Sequence, residues 1–262
     1  MIRIRGGRGL GDSIYLRPIA THLARTGQQV AALSDYPEVF EGSGVPVEPF
    51  RRSHATVVAH YVSRKSDQRT TQYADMLESA RIAEQVPLRF AWTVRNVVLV
   101  ERLLALAGGR PIVLVHGGRE PMGRTDGFGL DLMPAQRGFE CALSMLDDCY
   151  LVRIGKLPVL YPIQVDDDLS GGTSVYDLLD LGWICTGIVA QCSFAVPLAE
   201  AFDKPLLAIW SSRGLVSPND FVRTCTPQKI LTKPTSRFVL DNWTPAQMRD
   251  AVRGFHPLQL AA

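Results

Sequence analysis

Hydrophobic and polar positions along the chain alternate between short apolar runs and stretches of helical period, and they do so in two successive series. In the first, apolar or β-branched runs at Ile2–Arg5, Gln29–Leu33, Val45–Pro49 and Thr56–Tyr61 predict strands. Helical spacing over Ser13–Thr26, Tyr36–Glu41 and Thr71–Glu84 predicts the helices that accompany them. The second series begins at Pro111, with strands predicted at Ile112–Val115, Tyr150–Ile154, Gly187–Ala190 and Pro205–Ile209. Its helices are predicted at Pro134–Met145, Val175–Leu181 and Phe194–Phe202. Continuous apolar strands flanked by helices imply parallel sheets covered on both faces. Punctuation agrees with this pattern. Gly27 suits the left-handed position after the first long helix, while Thr244 as N-cap and Pro245 at N1 open a last helix running to Arg253.

Between the two series lies Val94–Leu106, followed by Ala107-Gly108-Gly109-Arg110-Pro111. That glycine and proline punctuation divides the chain into residues 1–107 and 108–262. Two α/β halves in tandem imply a ligand cleft between them, at the carboxyl ends of parallel strands.

The chemistry concentrates in loops that leave strands. After Ile2–Arg5 come glycines at 6, 7, 9 and 11, then Asp12 and an apolar helix containing Pro18. A strand, a glycine turn and a helix start gather backbone N–H groups and the positive end of a helix dipole at one point. Asp12 reads either as the cap of that helix or as a carboxylate that meets a substrate, and two oxygens allow both. After the strand at 112–115 comes His116-Gly117-Gly118-Arg119, with Arg124 behind it. Glycines there expose N–H donors, and a guanidinium binds phosphate bidentately. Ser193 starts a helix, either as an N-cap or as a phosphate contact, and Lys156 follows the strand ending at Ile154.

Composition narrows the classes. The chain of 262 residues has 46% hydrophobic and 21% charged residues, as a folded globular protein does. A net charge of +2 gives no reason to invoke a nucleic-acid or membrane partner, although residues 1–100 are mildly basic. No apolar run approaches the roughly 20 residues that span a bilayer, and Arg3, Arg5 and Arg8 interrupt any signal-peptide core. Five cysteines without a CxxC pair fit a reducing compartment, with Cys141, Cys149 and Cys185 expected as buried small hydrophobes. A cytoplasmic location is expected. Asp166-Asp167-Asp168 is expected as a solvated loop, since consecutive carboxylates do not converge on one metal ion. His116 has no Cys or His at zinc spacing. The first loop has neither the Gly-Lys-Ser/Thr of a P-loop nor a Gly-x-Gly-x-x-Gly fingerprint.

Three segments, in order, resemble the heptosyltransferase-like glycosyltransferases (glycosyltransferase family 9). Ile4-Arg5-Gly6 through Gly9-Leu10-Gly11-Asp12-Ser13 resembles the family's opening strand, G-x-[LI]-G-D loop and helix. Pro111-Ile112-Val113-Leu114-Val115-His116-Gly117-Gly118 resembles the strand and glycine loop that open its nucleotide-sugar domain. Tyr176-Asp177-Leu178-Leu179-Asp180-Leu181, Ile188-Val189-Ala190-Gln191-Cys192-Ser193 and the run from Pro197 to Trp210 resemble its donor-site helix, strand and following helix-strand unit. Where the family has D-S-G-P-x-H, this chain reads Cys192-Ser193-Phe194-Ala195-Val196-Pro197, which retains only the serine.

The resemblance implies a GT-B-like α/β fold of two facing Rossmann-like domains with parallel sheets. It also implies inverting, metal-independent sugar transfer from a nucleotide-sugar co-substrate, with no other cofactor. Asp12 would be the general base, and Arg8, Gly9, Gly11 and Ser13 would line the acceptor. His116, Gly117, Gly118, Arg119, Arg124, Lys156, Gln191, Cys192, Ser193 and Phe194 would hold the donor. The acceptor is expected to be a phosphorylated saccharide or a modified nucleic-acid base. The alternative is a GT-B-like nucleotide-binding or assembly protein without transfer activity.

Overall fold

The computed structural model describes residues 1–51, 54–60, 71–89, 91–117, 136–156, 162–191, 193–212 and 236–255. The first sheet holds β1 (Ile2–Arg5), β2 (Val30–Leu33), β3 (Val47–Glu48) and β4 (Val57–Val58), in the order β3-β2-β1-β4. The second holds β5 (Ile112–His116), β6 (Tyr150–Arg153), β7 (Asp167–Asp168), β8 (Gly187–Ala190), β9 (Leu206–Trp210) and β10 (Arg237–Leu240), in the order β10-β9-β8-β5-β6-β7. Every described strand pair is parallel.

Each sheet starts in its interior and grows first to one side, then to the other. β1 lies between β2 and β4, and β5 between β6 and β8. The second order is that of a doubly wound dinucleotide-type sheet. Reversal of direction beside the first strand leaves a crevice at the carboxyl ends, where the connections diverge to opposite faces.

Helices cover the sheets as the apolar spacing requires. They are α1 (Leu10–Arg25), α2 (Gln72–Ser79), α3 (Val97–Ala107), α4 (Gln136–Leu143), α5 (Val175–Ile184), α6 (Ala195–Ala201) and α7 (Pro245–Phe255). One face of the second sheet packs Val113, Val115, Val189 and Ile209 with Phe139 of α4 and with Met248, Val252 and Phe255 of α7. The opposite face shares one apolar cluster with the first sheet, running from Ile4 and Ile14 through Trp92 to Leu114, Ile188 and Leu198.

Several boundaries differ from expectation for local reasons. α1 starts three residues early because Gly9, extended at φ −77° and ψ 162°, serves as N-cap. Tyr36–Glu41 contracts to a single 3-10 turn at Pro37–Phe40, where proline sits at the helix start. Val94–Leu106 is mostly one helix, α3, which runs on to Ala107, capped by Asn96 and closed by Gly108 at φ +59°. The acidic run is no solvated loop. Asp166 accepts the Leu151 amide (2.8 Å) and pairs with Arg110 (3.1 Å), while Asp167 and Asp168 form edge strand β7 beside β6. β10 carried no clear signal. Cys149 and Cys185 are buried, and burial pushes each thiol up to about 12, whereas Cys141 is half-exposed rather than buried.

The segment before α3 is fastened to α5 by one carboxylate. Asp180, fully buried, accepts hydrogen bonds from Trp92 Nε1 (2.6 Å), from the Arg95 amide (3.0 Å) and from the Asn96 amide (2.7 Å). Next to it, Asn96 Nδ2 donates to Asp177 (2.7 Å), which also accepts from the Ser174 amide and hydroxyl at the start of α5. Arg95 meanwhile reaches Glu41 beside the first sheet at 2.6 Å, and Arg89 reaches Asp203 after α6 at 2.7 Å.

Asp180→Ala leaves an indole and two amides buried without their acceptor. It should cost about 2–5 kcal/mol in urea unfolding, with Asp180→Asn in between because its amide keeps one acceptor oxygen. Partial burial pushes the Asp177 carboxyl up, but the bonds from Asn96 and Ser174 outweigh it and hold it below the usual range. A carboxyl lowered on folding adds stability above its unfolded value and loses it as pH falls through the folded one. The stability gap between the parent and Asp177→Asn, measured by urea unfolding, should therefore narrow as pH drops below about 4.

Candidate functional site

The glycine loop folds back on the acid that follows it. Asp12 occupies the third position of α1, and its Oδ2 accepts the Gly9 amide at 3.0 Å, the helix-capping arrangement. A Cβ at Gly7 would lie 2.5 Å from Asp12 Oδ1, so the carboxylate rests directly over that bare backbone. Half-buried Asp12 is thereby fixed in plane at the carboxyl end of β1.

Gly11, one residue earlier, meets the other sheet. A Cβ there would stand 3.1 Å from the Phe194 Cα and 3.2 Å from Pro197 Cγ. The first turn of α1 thus packs on the start of α6 with no side chain between them. Phe194 in turn sets its ring 4.8 Å from the His116 ring, edge to face. His116, 1% exposed at the end of β5, also lies against Gly155 after β6, and its carbonyl accepts the Gln191 amide at 3.0 Å. Asp12 and Gly11, His116 and Gly117, and Gln191 and Phe194 therefore follow β1, β5 and β8, at the crevice that topology alone would select.

Other expected residues have separate surroundings. Arg8 is exposed and bonds Asp35 at 2.7 Å. Ser13 is buried, its hydroxyl 2.8 Å from that of Ser34, which ties α1 to β2 rather than joining the acid in the crevice. Ser193 Oγ accepts the Ala195 amide at 3.2 Å from the position before the helix N-cap, Phe194. Lys156 is exposed just past β6. Gly118, Arg119, Arg124 and Cys192 lie outside the described residues.

Sequence reading missed Arg153. It is 2% exposed at the end of β6, and its Nη2 donates to the Gly117 carbonyl at 3.2 Å. A cation closing an otherwise apolar strand was the available signal. It also missed two buried polar groups at the end of β9. Among the described residues Trp210 Nε1 and Ser211 Oγ have no hydrogen-bond partner, and neither has Gln191 Oε1 at the end of β8. No group of three or more His, Cys, Asp or Glu side chains among the described residues is arranged to hold a metal ion. None of the described helices is long and apolar enough to cross a membrane.

Two parallel α/β sheets joined where α1 packs on the start of α6 form a GT-B-like, heptosyltransferase-like fold. No protein-family model matches the sequence, and no curated protein matches it. Solved structures do match in fold. ADP-heptose LPS heptosyltransferase II of E. coli superposes with a TM-score of 0.62 at 14% identity, covering 100% of this chain and 99% of that one. The iron-containing dodecameric glycosyltransferase TibC of enterotoxigenic E. coli H10407 gives 0.60 at 11% identity over 100% and 80%. A family 9 glycosyltransferase of Veillonella parvula DSM 2008 gives 0.54 at 10% identity over 97% and 81%.

If Gly7 is bare because Asp12 lies over it, Gly7→Ala must displace the carboxylate. The substitution should cost about 0.5–2 kcal/mol in thermal unfolding, the worth of a helix cap. In an Asp12→Ala background the same change should cost measurably less, a coupling that a double-mutant cycle reads directly.

Proposed function

We propose that the protein is a glycosyltransferase that moves a sugar from a nucleotide-sugar donor to an acceptor hydroxyl, without a metal and with inversion. The observation that carries this reading is the seating of Asp12 at the carboxyl end of β1, one residue from the contact between Gly11 and Phe194 of the second sheet. The GT-B-like fold and its glycosyltransferase neighbours support it. Residues 1–107 would take the acceptor and residues 108–262 the donor, with α3 leaning on α5 where the two join. Reducing cytoplasm suits its unpaired buried thiols.

In the reaction, the acceptor oxygen attacks the anomeric carbon from the side opposite the diphosphate. Its proton passes to the Asp12 carboxylate, and the anomeric C–O bond breaks with its electron pair leaving on the diphosphate. Asp12 serves as cap and base together, because the Gly9 amide that holds Oδ2 fixes the orientation of the whole group. Backbone donors following β5, with Arg119 and Arg124, would meet the charge developing on the leaving group. Arg153 would act as a positioning residue there, through its bond to the Gly117 carbonyl. Gln191, with a buried carbonyl oxygen unpartnered among the described residues, is a ready acceptor for a donor hydroxyl. The mildly basic first hundred residues suit an anionic acceptor, either a phosphorylated saccharide or a modified nucleic-acid base.

A second reading, a nucleotide-binding scaffold without transfer, draws on Ser193 and Phe194. The Ser193 hydroxyl is engaged by Ala195 N–H, and Phe194 packs on His116 where the resembled family has glycine. A panel of nucleotide sugars and acceptors, followed by nucleoside diphosphate release and mass spectrometry of the acceptor, separates the two. Turnover that falls by about 10²–10⁴-fold in Asp12→Asn, with donor affinity kept, is the expected result. Saturable donor binding with no transfer or hydrolysis would establish the scaffold instead.

A further inference from the structure

Phe194 stands where the second sheet comes nearest to the turn that carries Asp12. A Cβ at Gly11 would lie 3.1 Å from the Phe194 Cα and 3.6 Å from its Cβ, so the aromatic residue begins directly against that turn. From there its ring reaches the end of β5 and meets the buried His116 ring at 4.8 Å, edge to face. The side chain thus bridges the loop after β1 and the carboxyl end of β5, and it is only half-buried. Its neighbours offer little else that is polar. Ala195, Val196, Pro197 and Leu198 follow it, and Pro197 Cγ stands 3.2 Å from the same Gly11 position. Ser193, just before it, uses its oxygen to accept the Ala195 amide at 3.2 Å. Where the resembled family has an acid, a glycine and a histidine, this chain has Cys192, Phe194 and Pro197. The border of the crevice beside Asp12 is therefore apolar, with an aromatic ring at its centre.

We propose that Phe194 sets the donor specificity of this crevice, selecting a 6-deoxyhexose over the corresponding hexose; the inference rests on the glycosyltransferase reading. An acceptor oxygen that gives its proton to Asp12 attacks a carbon close to that carboxylate, so the sugar ring has to lie in the space that Phe194 borders. A hydroxyl set against an aromatic ring gives up its bonds to water and gains none in return, whereas a methyl group in the same place gains dispersion contacts. Replacing the exocyclic hydroxymethyl of a hexose by a methyl makes that exchange and no other. Bulk works in the same direction, because the ring takes up room that a glycine would leave to an exocyclic arm. The remaining hydroxyls keep a partner in Gln191 Oε1, which is unpartnered among the described residues and precedes Phe194 in the same strand exit. An apolar site rejects an added hydroxyl by about 10–10²-fold, and that is the scale of preference the ring can supply.

The test is calorimetric titration of the full chain with matched donors. ADP, GDP, UDP and dTDP are titrated first, and the base that binds is then offered as its glucose, galactose and mannose esters, each beside its 6-deoxy form. In at least one pair the 6-deoxy ester is expected to bind about tenfold tighter than the hexose ester. Phe194→Ala, which admits water and an exocyclic arm, should bring that ratio below about threefold. The ratio compares two ligands on one protein, so a general weakening of the variant cancels, and the parent ratio decides alone if Phe194→Ala does not fold. A ratio below about threefold in every parent pair, or a preference kept in folded Phe194→Ala, overturns the inference and leaves the donor reading intact. Failure of every nucleoside diphosphate and ester to bind would refute the donor reading, and the inference with it.

Discussion

Where α1 touches α6, two backbones approach without an intervening side chain, and the relation between the two sheets depends on that approach. A Cβ at Gly11 would crowd the Phe194 Cα and the Pro197 ring, so even alanine there must push the helices apart by a few tenths of an ångström. Because Asp12 follows Gly11 at once, the same contact sets how far the carboxylate stands from the ends of β5 and β8. Phe194 extends the constraint by packing on the buried ring of His116, which lies against Gly155. Positions from four strand ends are thereby fixed relative to one another by packing, with few polar bonds among them.

The second junction works by different physics. Around Asp180 a buried carboxylate replaces its lost water with three donors from one segment, and the Asn96 cap of α3 is set by the same group. Such an arrangement tolerates little relative motion, since displacing the segment would strand both the charge and its donors. Arg95 joins the two junctions: its amide faces Asp180, and its side chain faces Glu41 beside the first sheet. Trp92, Thr93 and Arg95 of the same segment also line a cavity together with Arg17 and Arg25 of α1.

Strand positions were legible in the sequence wherever a strand is buried on both faces. β8 coincides with its apolar run, and β5 extends its run by one residue to His116, because a parallel interior strand has no polar face to blur its limits. β7 and β10 were illegible for the opposite reason. β7 is two aspartates on an edge, paired with Arg102 and Arg153 from elsewhere in the chain, and edge position is a property of the sheet. The helix at 97–107 was hidden by its largely apolar composition, which leaves only Glu101 and Arg102 to mark a polar side.

By itself, the sequence determined the two parallel α/β units, the glycine loop that lets Asp12 fold back as a cap, and the capping chemistry of α5 and α7. Each follows from residues within a few positions of one another, where backbone sterics and local hydrogen bonds decide. Only the tertiary structure decided that Gly11 faces Phe194, that Ser13 turns to Ser34, that Arg153 reaches Gly117 and that four arginines share one cavity wall. Those outcomes depend on which faces of distant elements are buried together, and that is settled by packing across the whole chain.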